Sequence, residues 1–179
     1  EGNVIFSYEE SYGYMLGSYV RDKDAVSASL LLTEMAAWYA AQGLTLADAL
    51  DILHEKYGFY AEHTHNLVMP GLDGLKDMAE LMANLRANPP AEISGVKVVQ
   101  FKDYQDGSVT DCATGGKSSM ELSGSNVLRF EMADGTSVIV RPSGTEPKIK
   151  VYILTLGADE ADAQAHLELY GRWVETLTP

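Results

Sequence analysis

Arg141-Pro142-Ser143-Gly144-Thr145-Glu146-Pro147-Lys148 is the stretch of this chain whose residue types are best suited to chemistry. The arginine offers a planar fork of donors, the serine and threonine offer hydroxyls, and the glycine lets a backbone N–H approach an anion closely. Prolines on either side fix φ and lower the entropy lost on binding. Four or five charge-assisted hydrogen bonds at about 1.5–3 kcal/mol each would hold a phosphoester at micromolar concentration after association costs. Composition alone leaves a second reading open, a tight turn carrying a solvated arginine, because no helix follows to supply its dipole.

The chain around this loop is acidic. Its 179 residues carry 13 Lys and Arg against 26 Asp and Glu, a net charge of −13. That balance argues against a nucleic-acid partner, which needs a basic surface, and requires that any small anion meet a local concentration of cations. With 46% hydrophobic and 22% charged residues the chain is an ordinary globular one, and it has no apolar run of about 18 residues to span a membrane. The polar start Glu1-Gly2-Asn3 shows no signal peptide and runs directly into a β-like stretch without a Met, so the chain reads as part of something longer. Cys112 is the single cysteine and cannot form an internal disulfide, which suits a reducing, cytoplasmic setting. His63 and His65 have the spacing of two metal ligands on one strand face but lack a third, and Asp103, Asp106 and Asp111 are too irregular for a calcium loop. No metal site is expected.

The elements that must position the loop follow from periodicity. Asn3 to Tyr8 is β-rich, and a polar turn, Glu9 to Tyr14, follows it. Ala25 to Gln42 is apolar on most sides and predicts a buried helix, with Asp24 as N-cap and Gly43 as its stop. Thr45 to Asp48 opens a second helix with Leu46, Leu50, Leu53 and Tyr57 on one stripe. Gly58 to Val68 reads as a loop entering a strand and a domain boundary. Leu75, Met78, Ala79, Met82 and Leu85 mark an amphipathic helix closed by Asn88-Pro89-Pro90. Val96 to Phe101 predicts a strand and Asp103 to Thr114 a polar loop. Val127 to Met132 and Ser137 to Val140 form a hairpin about Asp134-Gly135. Ile149, Val151 and Ile153 alternate with Lys148, Lys150 and Tyr152 in a last strand, and Ala163, Leu167, Tyr170, Val174 and Leu177 define a closing helix. The expected class is α+β: a mainly antiparallel sheet with flanking helices over 63–179, preceded by strand, helix and helix over 1–62.

The run VRPSGTEPKIKVY, Val140 to Tyr152, resembles the phosphate-binding loop of the α-D-phosphohexomutases, the superfamily of phosphoglucomutases, phosphomannomutases and phosphoglucosamine mutases. Glu9-Glu10-Ser11-Tyr12-Gly13 resembles the sugar-recognition loop of that family's third domain, and Arg21-Asp22-Lys23-Asp24 with its long helix fits the same domain. Tyr57-Gly58-Phe59-Tyr60 and Glu92-Ile93-Ser94-Gly95 fall where the passage into the fourth domain is expected. The resemblance implies that residues 1–62 are the C-terminal part of an α/β third domain. It implies that 63–179 are a fourth domain of TATA-binding-protein-like fold.

It further implies that Glu9 and Ser11 bond two adjacent sugar hydroxyls, and that Arg141, Ser143, Gly144, Thr145 and Lys150 hold the phosphate that is not reacting. Lys23 sits where glucomutase-like members have a lysine near the sugar, assisting proton transfer or contacting phosphate; a snorkelling surface lysine is the competing reading. The family's phosphorylated serine lies in a T-A-S-H-N-P-like loop and its Mg²⁺ in a D-G-D-x-D-like loop. Neither string occurs here. The implied parent enzyme interconverts glucose 1-phosphate and glucose 6-phosphate through glucose 1,6-bisphosphate, and this portion is inactive alone, with a hinge near residues 58–66. Glu-Glu-Ser-Tyr looks more like the phosphoglucomutase loop than the others. A phosphomannomutase, a phosphopentomutase or a non-catalytic phosphosugar-binding module are the alternatives. The implied partners are a hexose phosphate and the remaining N-terminal domains.

Overall fold

The computed structural model describes residues 4–9, 12–71, 73–144 and 146–177. Two compact units divide between Lys56 and Tyr57.

In the first unit β1 (Phe6–Tyr8) and β2 (Tyr14–Leu16) form an antiparallel hairpin, followed by α1 (Ala25–Ala40) and α2 (Leu46–Tyr57). Asp24 caps α1 by accepting from the amides of Val26 and Ser27, and hydrogen bonds from the Tyr19 hydroxyl, Ser27 and Val26 hold its carboxyl down to about 2. Gly43, at φ +77°, closes the other end, where the Leu44 amide reaches the Tyr39 carbonyl. Thr45 and Asp48 cap α2 reciprocally, each side chain accepting from the other's backbone amide. The expectation that α1 is buried is not met. Val26 is 79% exposed and Trp38 60%, Ser27 is its one buried residue among those described, and the α2 stripe of Leu46, Leu50, Leu53 and Tyr57 is exposed as well. Two three-residue strands and one helix offer too little surface to cover a helix that is apolar all round. Phe6, Tyr14, Leu31, Leu32, Met35 and Trp38 are left lining an apolar groove of about 600 Å³.

The second unit is an α+β layer. Its strands are β3 (Phe59–Val68), β4 (Glu92–Ile93), β5 (Val96–Asp103), β6 (Ser108–Asp111), β7 (Lys117–Ser119), β8 (Leu128–Met132), β9 (Ser137–Pro142) and β10 (Lys148–Gly157); its helices are α3 (Gly74–Ala87) and α4 (Glu160–Glu175). The sheet order is β3-β10-β9-β8-β5-β6-β7, with β4 paired to β5, and every described pairing is antiparallel. One face carries Val138, Val140, Ile149, Val151, Ile153, Leu128 and Phe130, and with Met82 and Leu85 of α3 and Leu167, Tyr170 and Val174 of α4 it makes a single core. At about 25 cal/mol per Å², each of these large side chains contributes roughly 1.5–3 kcal/mol. Asp103 lies on the same face, buried, and Arg86 of α3 reaches it at 2.7 Å. The Tyr170 hydroxyl donates to Asp134 at 2.7 Å, which ties the β8–β9 turn to α4.

Three expectations change. Residues 59–68 are not a loop entering a strand, because Phe59–Val68 is one strand paired along its whole length with β10. The expected division after residue 62 therefore falls inside β3. Residues 103–114 hold a strand, β6, which the polar sequence Ser108-Val109-Thr110-Asp111 conceals; it is held by backbone pairing with β5 and β7 rather than by an apolar face. Leu75, counted in the α3 stripe, is exposed.

His63 and His65 lie opposite Ile153 and Val151, on the face that α4 covers, with ring centroids 4.5 Å apart and nearly perpendicular. The His65 ring sits 3.3 Å from where a Cβ on Gly171 would stand, so glycine is what lets α4 lie against it. Burial first, then the neighbouring His63, push the His65 pKa below its ordinary 6.5, while Glu175 pulls the other way. The unfolded chain thus takes up this proton at a higher pH than the folded protein does. The stability held here is complete above 6.5 and is lost as pH falls below it. Thermal unfolding followed from pH 7 to pH 5 should show a falling midpoint, and His65→Asn should make that fall shallower; coincident profiles would refute the assignment to His65.

Candidate functional site

β9 and β10 pair so that Arg141 stands directly opposite Lys150, while Val140 and Val151, one step away, face the core. The face away from the helices therefore carries Arg141, Lys148, Lys150 and Tyr152, joined farther along by Arg129 and Lys102. Five of the chain's 13 lysines and arginines share this one face in a chain of net charge −13; Glu131 and Glu146 pair with three of them. Asn66 of β3 lies opposite Lys150 and extends the same row.

Arg141 is half-buried, and its guanidinium is held by a neutral group. Nε and Nη2 both donate to the Tyr152 hydroxyl, at 3.1 and 3.0 Å. Among the described residues no carboxylate pairs with it. Along the sheet the contrast is plain: Glu131 accepts from Lys102 at 2.7 Å and from Arg129 and Ser137. Burial would raise the Glu131 carboxyl, but those hydrogen bonds and charges hold it below the usual range.

The loop between the strands is partly self-bonded. The Ser143 amide donates to the Lys148 carbonyl at 2.8 Å and the Lys148 amide to the Glu146 carbonyl. Glu146 also pairs with the Lys148 ammonium, and hydrogen bonding and charge from Lys148, then the charge of Lys150, hold its carboxyl low. Of the loop's backbone donors, Ser143 is thus used internally, and no hydrogen bond among the described residues occupies the amides of Gly144 and Glu146. Thr145 lies outside the described residues.

In the first unit the turn after β1 closes through the Glu9 amide donating to the Gly13 carbonyl at 2.8 Å. Lys23 Nζ lies 3.4 Å from Glu9 Oε1 and 3.2 Å from Asp22. A Cβ on Gly13 would collide with the Lys23 stem and the Glu9 carboxylate, so this glycine is what lets the two side chains meet. Tyr12 adopts φ +64°, a left-handed conformation that is uncommon for an aromatic residue and is found at functional turns. Ser7, Tyr8, Glu9, Gly13, Met15, Asp22 and Lys23 line a cavity of about 150 Å³. Hydrogen bonding and charge from Asp22, then the charge of Glu9, push the Lys23 pKa up. An ammonium so placed keeps its proton at neutral pH, which suits holding a carboxylate or an anion better than accepting a proton. Ser11 lies outside the described residues.

Two participants were not singled out in the sequence, Tyr152 and Asp22. For Tyr152 the signal was present, since it shares the period of Lys148 and Lys150, but which arginine it meets depends on cross-strand register. Among the described residues no group of three or more His, Cys, Asp or Glu side chains could hold a metal ion.

Residues 66–169 match the family model described as phosphoglucomutase/phosphomannomutase, C-terminal domain, and residues 1–57 match that of the family's alpha/beta/alpha domain III. The phosphoglucomutase of Staphylococcus aureus strain N315 is 38% identical over 151 residues, covering 84% of this chain and 27% of that protein; that of strain USA300 is 37% identical over the same length. The chain thus spans about a quarter of the length of the curated relatives it matches. In fold it is similar to the open-form crystal structure of the Paramecium phosphoprotein parafusin, a phosphoglucomutase, with a TM-score of 0.52 at 17% identity over 94% of this chain and 30% of that one. A chain whose cationic sheet face and β9–β10 loop coincide with the matched C-terminal domain belongs to the phosphoglucomutase/phosphomannomutase family.

Proposed function

We propose that this chain is the sugar- and phosphate-binding portion of a phosphoglucomutase acting on glucose 1-phosphate and glucose 6-phosphate. The observation that carries the reading is Arg141, a half-buried guanidinium with no carboxylate partner among the described residues, on a cationic face of an acidic protein. In the proposed reaction a phosphoserine outside this chain gives its phosphoryl group to O6 of glucose 1-phosphate, forming glucose 1,6-bisphosphate. The intermediate turns over, and the serine takes the other phosphoryl group, breaking its bond to O1 and leaving glucose 6-phosphate. Mg²⁺, held by residues outside this chain, would supply charge neutralisation.

Phosphoryl transfer depends mostly on positioning and on charge neutralisation. In this reading Arg141, Ser143, Gly144, Thr145 and Lys150 grip the phosphate distal to the reaction in both orientations of the sugar. Glu9 and Ser11 accept from and donate to adjacent hydroxyls, and Lys23 keeps Glu9 oriented. A misplaced hydroxyl would leave a polar group unpaired, which is how a carboxylate at this position would discriminate epimers. The remaining N-terminal domains of the enzyme are the chain's partners in this reading. A cytoplasmic setting belongs to the same reading, because Cys112 is the single cysteine and cannot form an internal disulfide.

Gly144 adds a second, independent support. Its backbone is not in the left-handed region, and a Cβ there would meet nothing within 4 Å. Neither conformation nor packing requires glycine, which leaves close approach of a ligand as the physical reason for it.

Calorimetric titration of the chain with glucose 1,6-bisphosphate should show Arg141→Ala weakening binding by about 10- to 100-fold, the equivalent of one or two charge-assisted bonds; equal affinities would remove the basis of the proposal. Gly144→Ala should leave the unfolding midpoint unchanged or raise it slightly, by at most about 1 kcal/mol of stability, yet weaken the same ligand severalfold. Loss of stability without loss of binding would mean that the glycine serves the fold.

A further inference from the structure

We infer that Tyr152 is a positioning residue for the phosphate cradle, fixing the Arg141 guanidinium in a binding geometry without cancelling its charge. This inference rests on the phosphate-binding reading above. Arginine has five N–H donors on a flexible stem, and its affinity for a phosphate depends on which edge of the guanidinium plane faces the ligand. Here the phenolic oxygen takes the Nε–Nη2 edge with both lone pairs, at 3.1 and 3.0 Å, and the guanidinium carbon lies 5.6 Å from the centre of the Tyr152 ring. The edge formed by the two terminal nitrogens is left for a bidentate anion.

The register makes the arrangement specific. Tyr152 lies opposite Ile139, and Arg141 is opposite Lys150, so the contact is a diagonal one between neighbouring strands on the open face. Diagonal cross-strand neighbours are within reach only of long or aromatic side chains. A carboxylate at position 152 would hold the guanidinium equally well but offset its charge, as Glu131 offsets one of the two charges of Lys102 and Arg129. A phenol has the oxygen at the required distance and no charge at neutral pH. Immobilising arginine before binding also removes side-chain entropy that would otherwise be lost with the ligand.

The test is a double-mutant cycle on the 179-residue chain, titrated with glucose 1,6-bisphosphate. Tyr152→Phe should weaken binding about 5- to 20-fold, and in the Arg141→Ala background it should change affinity less than about twofold, because its effect passes through the arginine. Additive losses overturn the inference, as does Tyr152→Phe binding like the wild type while Arg141→Ala is weakened, and in both cases the phosphate-binding reading stands. If Arg141→Ala binds like the wild type, the phosphate-binding reading itself falls. Where Tyr152→Phe fails to fold, the wild-type chain still decides, through the Arg141 Nε–H resonance: slow exchange with water supports the inference, and exchange as fast as that of an exposed arginine overturns it.

Discussion

The antiparallel register of β9 against β10 is the constraint on which the candidate site depends. Val138, Val140, Ile149, Val151 and Ile153 are fully buried, and each contributes roughly 1.5–3 kcal/mol by leaving water. A slip of one residue would turn all of one strand's apolar side chains to solvent. No interaction within the loop approaches the energy that holds this register. Once it is held, Arg141 and Lys150 must emerge opposite each other on the far face, and the loop from 142 to 147 must leave the sheet beside them. The core, and not the loop, places the cations.

Placing them has a cost. Like charges directly opposite on a sheet repel, and Lys148 stands on the same face two residues from Lys150. The fold relieves the crowding at one end through Glu146, which pairs with Lys148. Farther along, Glu131 accepts from Lys102, Arg129 and Ser137 and offsets one of those two positive charges. Arg141 is held by a phenol. A phenol holds the guanidinium without offsetting its charge, where a carboxylate in the same place would offset it.

Much of this was legible in the chain, and what was not has identifiable causes. The alternation of Ile149, Val151 and Ile153 with Lys148, Lys150 and Tyr152 reads directly as a strand with one buried and one polar face, and Asp134-Gly135 marks its neighbouring hairpin. The stripe from Ala163 to Val174 gives α4 for the same reason. β6 was illegible because backbone pairing holds it while its side chains carry no apolar pattern. α1 misled in the opposite direction: a helix apolar all round predicts burial, but burial needs a covering surface, and residues 4–56 do not supply one. The loop composition at 141–148 pointed to a phosphate without deciding it, and the partner of Arg141 depends on register, which composition does not carry.

The two candidate loops differ in how they are prepared, and the difference bears on what each would do. Glu9 and Lys23 meet in solvent, each about half exposed, so the pair adds little stability, and its value lies in direction: it holds a carboxylate over a glycine turn. Arg141 is half-buried on a rigid strand, fixed by two hydrogen bonds. Under the proposed function the distal phosphate would then provide most of the affinity, since charge-assisted bonds to a preorganised cation are strong whichever sugar carries the ester. Choice among sugars would fall to the Glu9 loop, because epimers present a hydroxyl at a given carbon in different orientations while the phosphate is common to all. Under the proposed function, strong, indifferent binding on the sheet combined with weak, selective binding on the turn would suit a bisphosphate intermediate that must be held in two orientations.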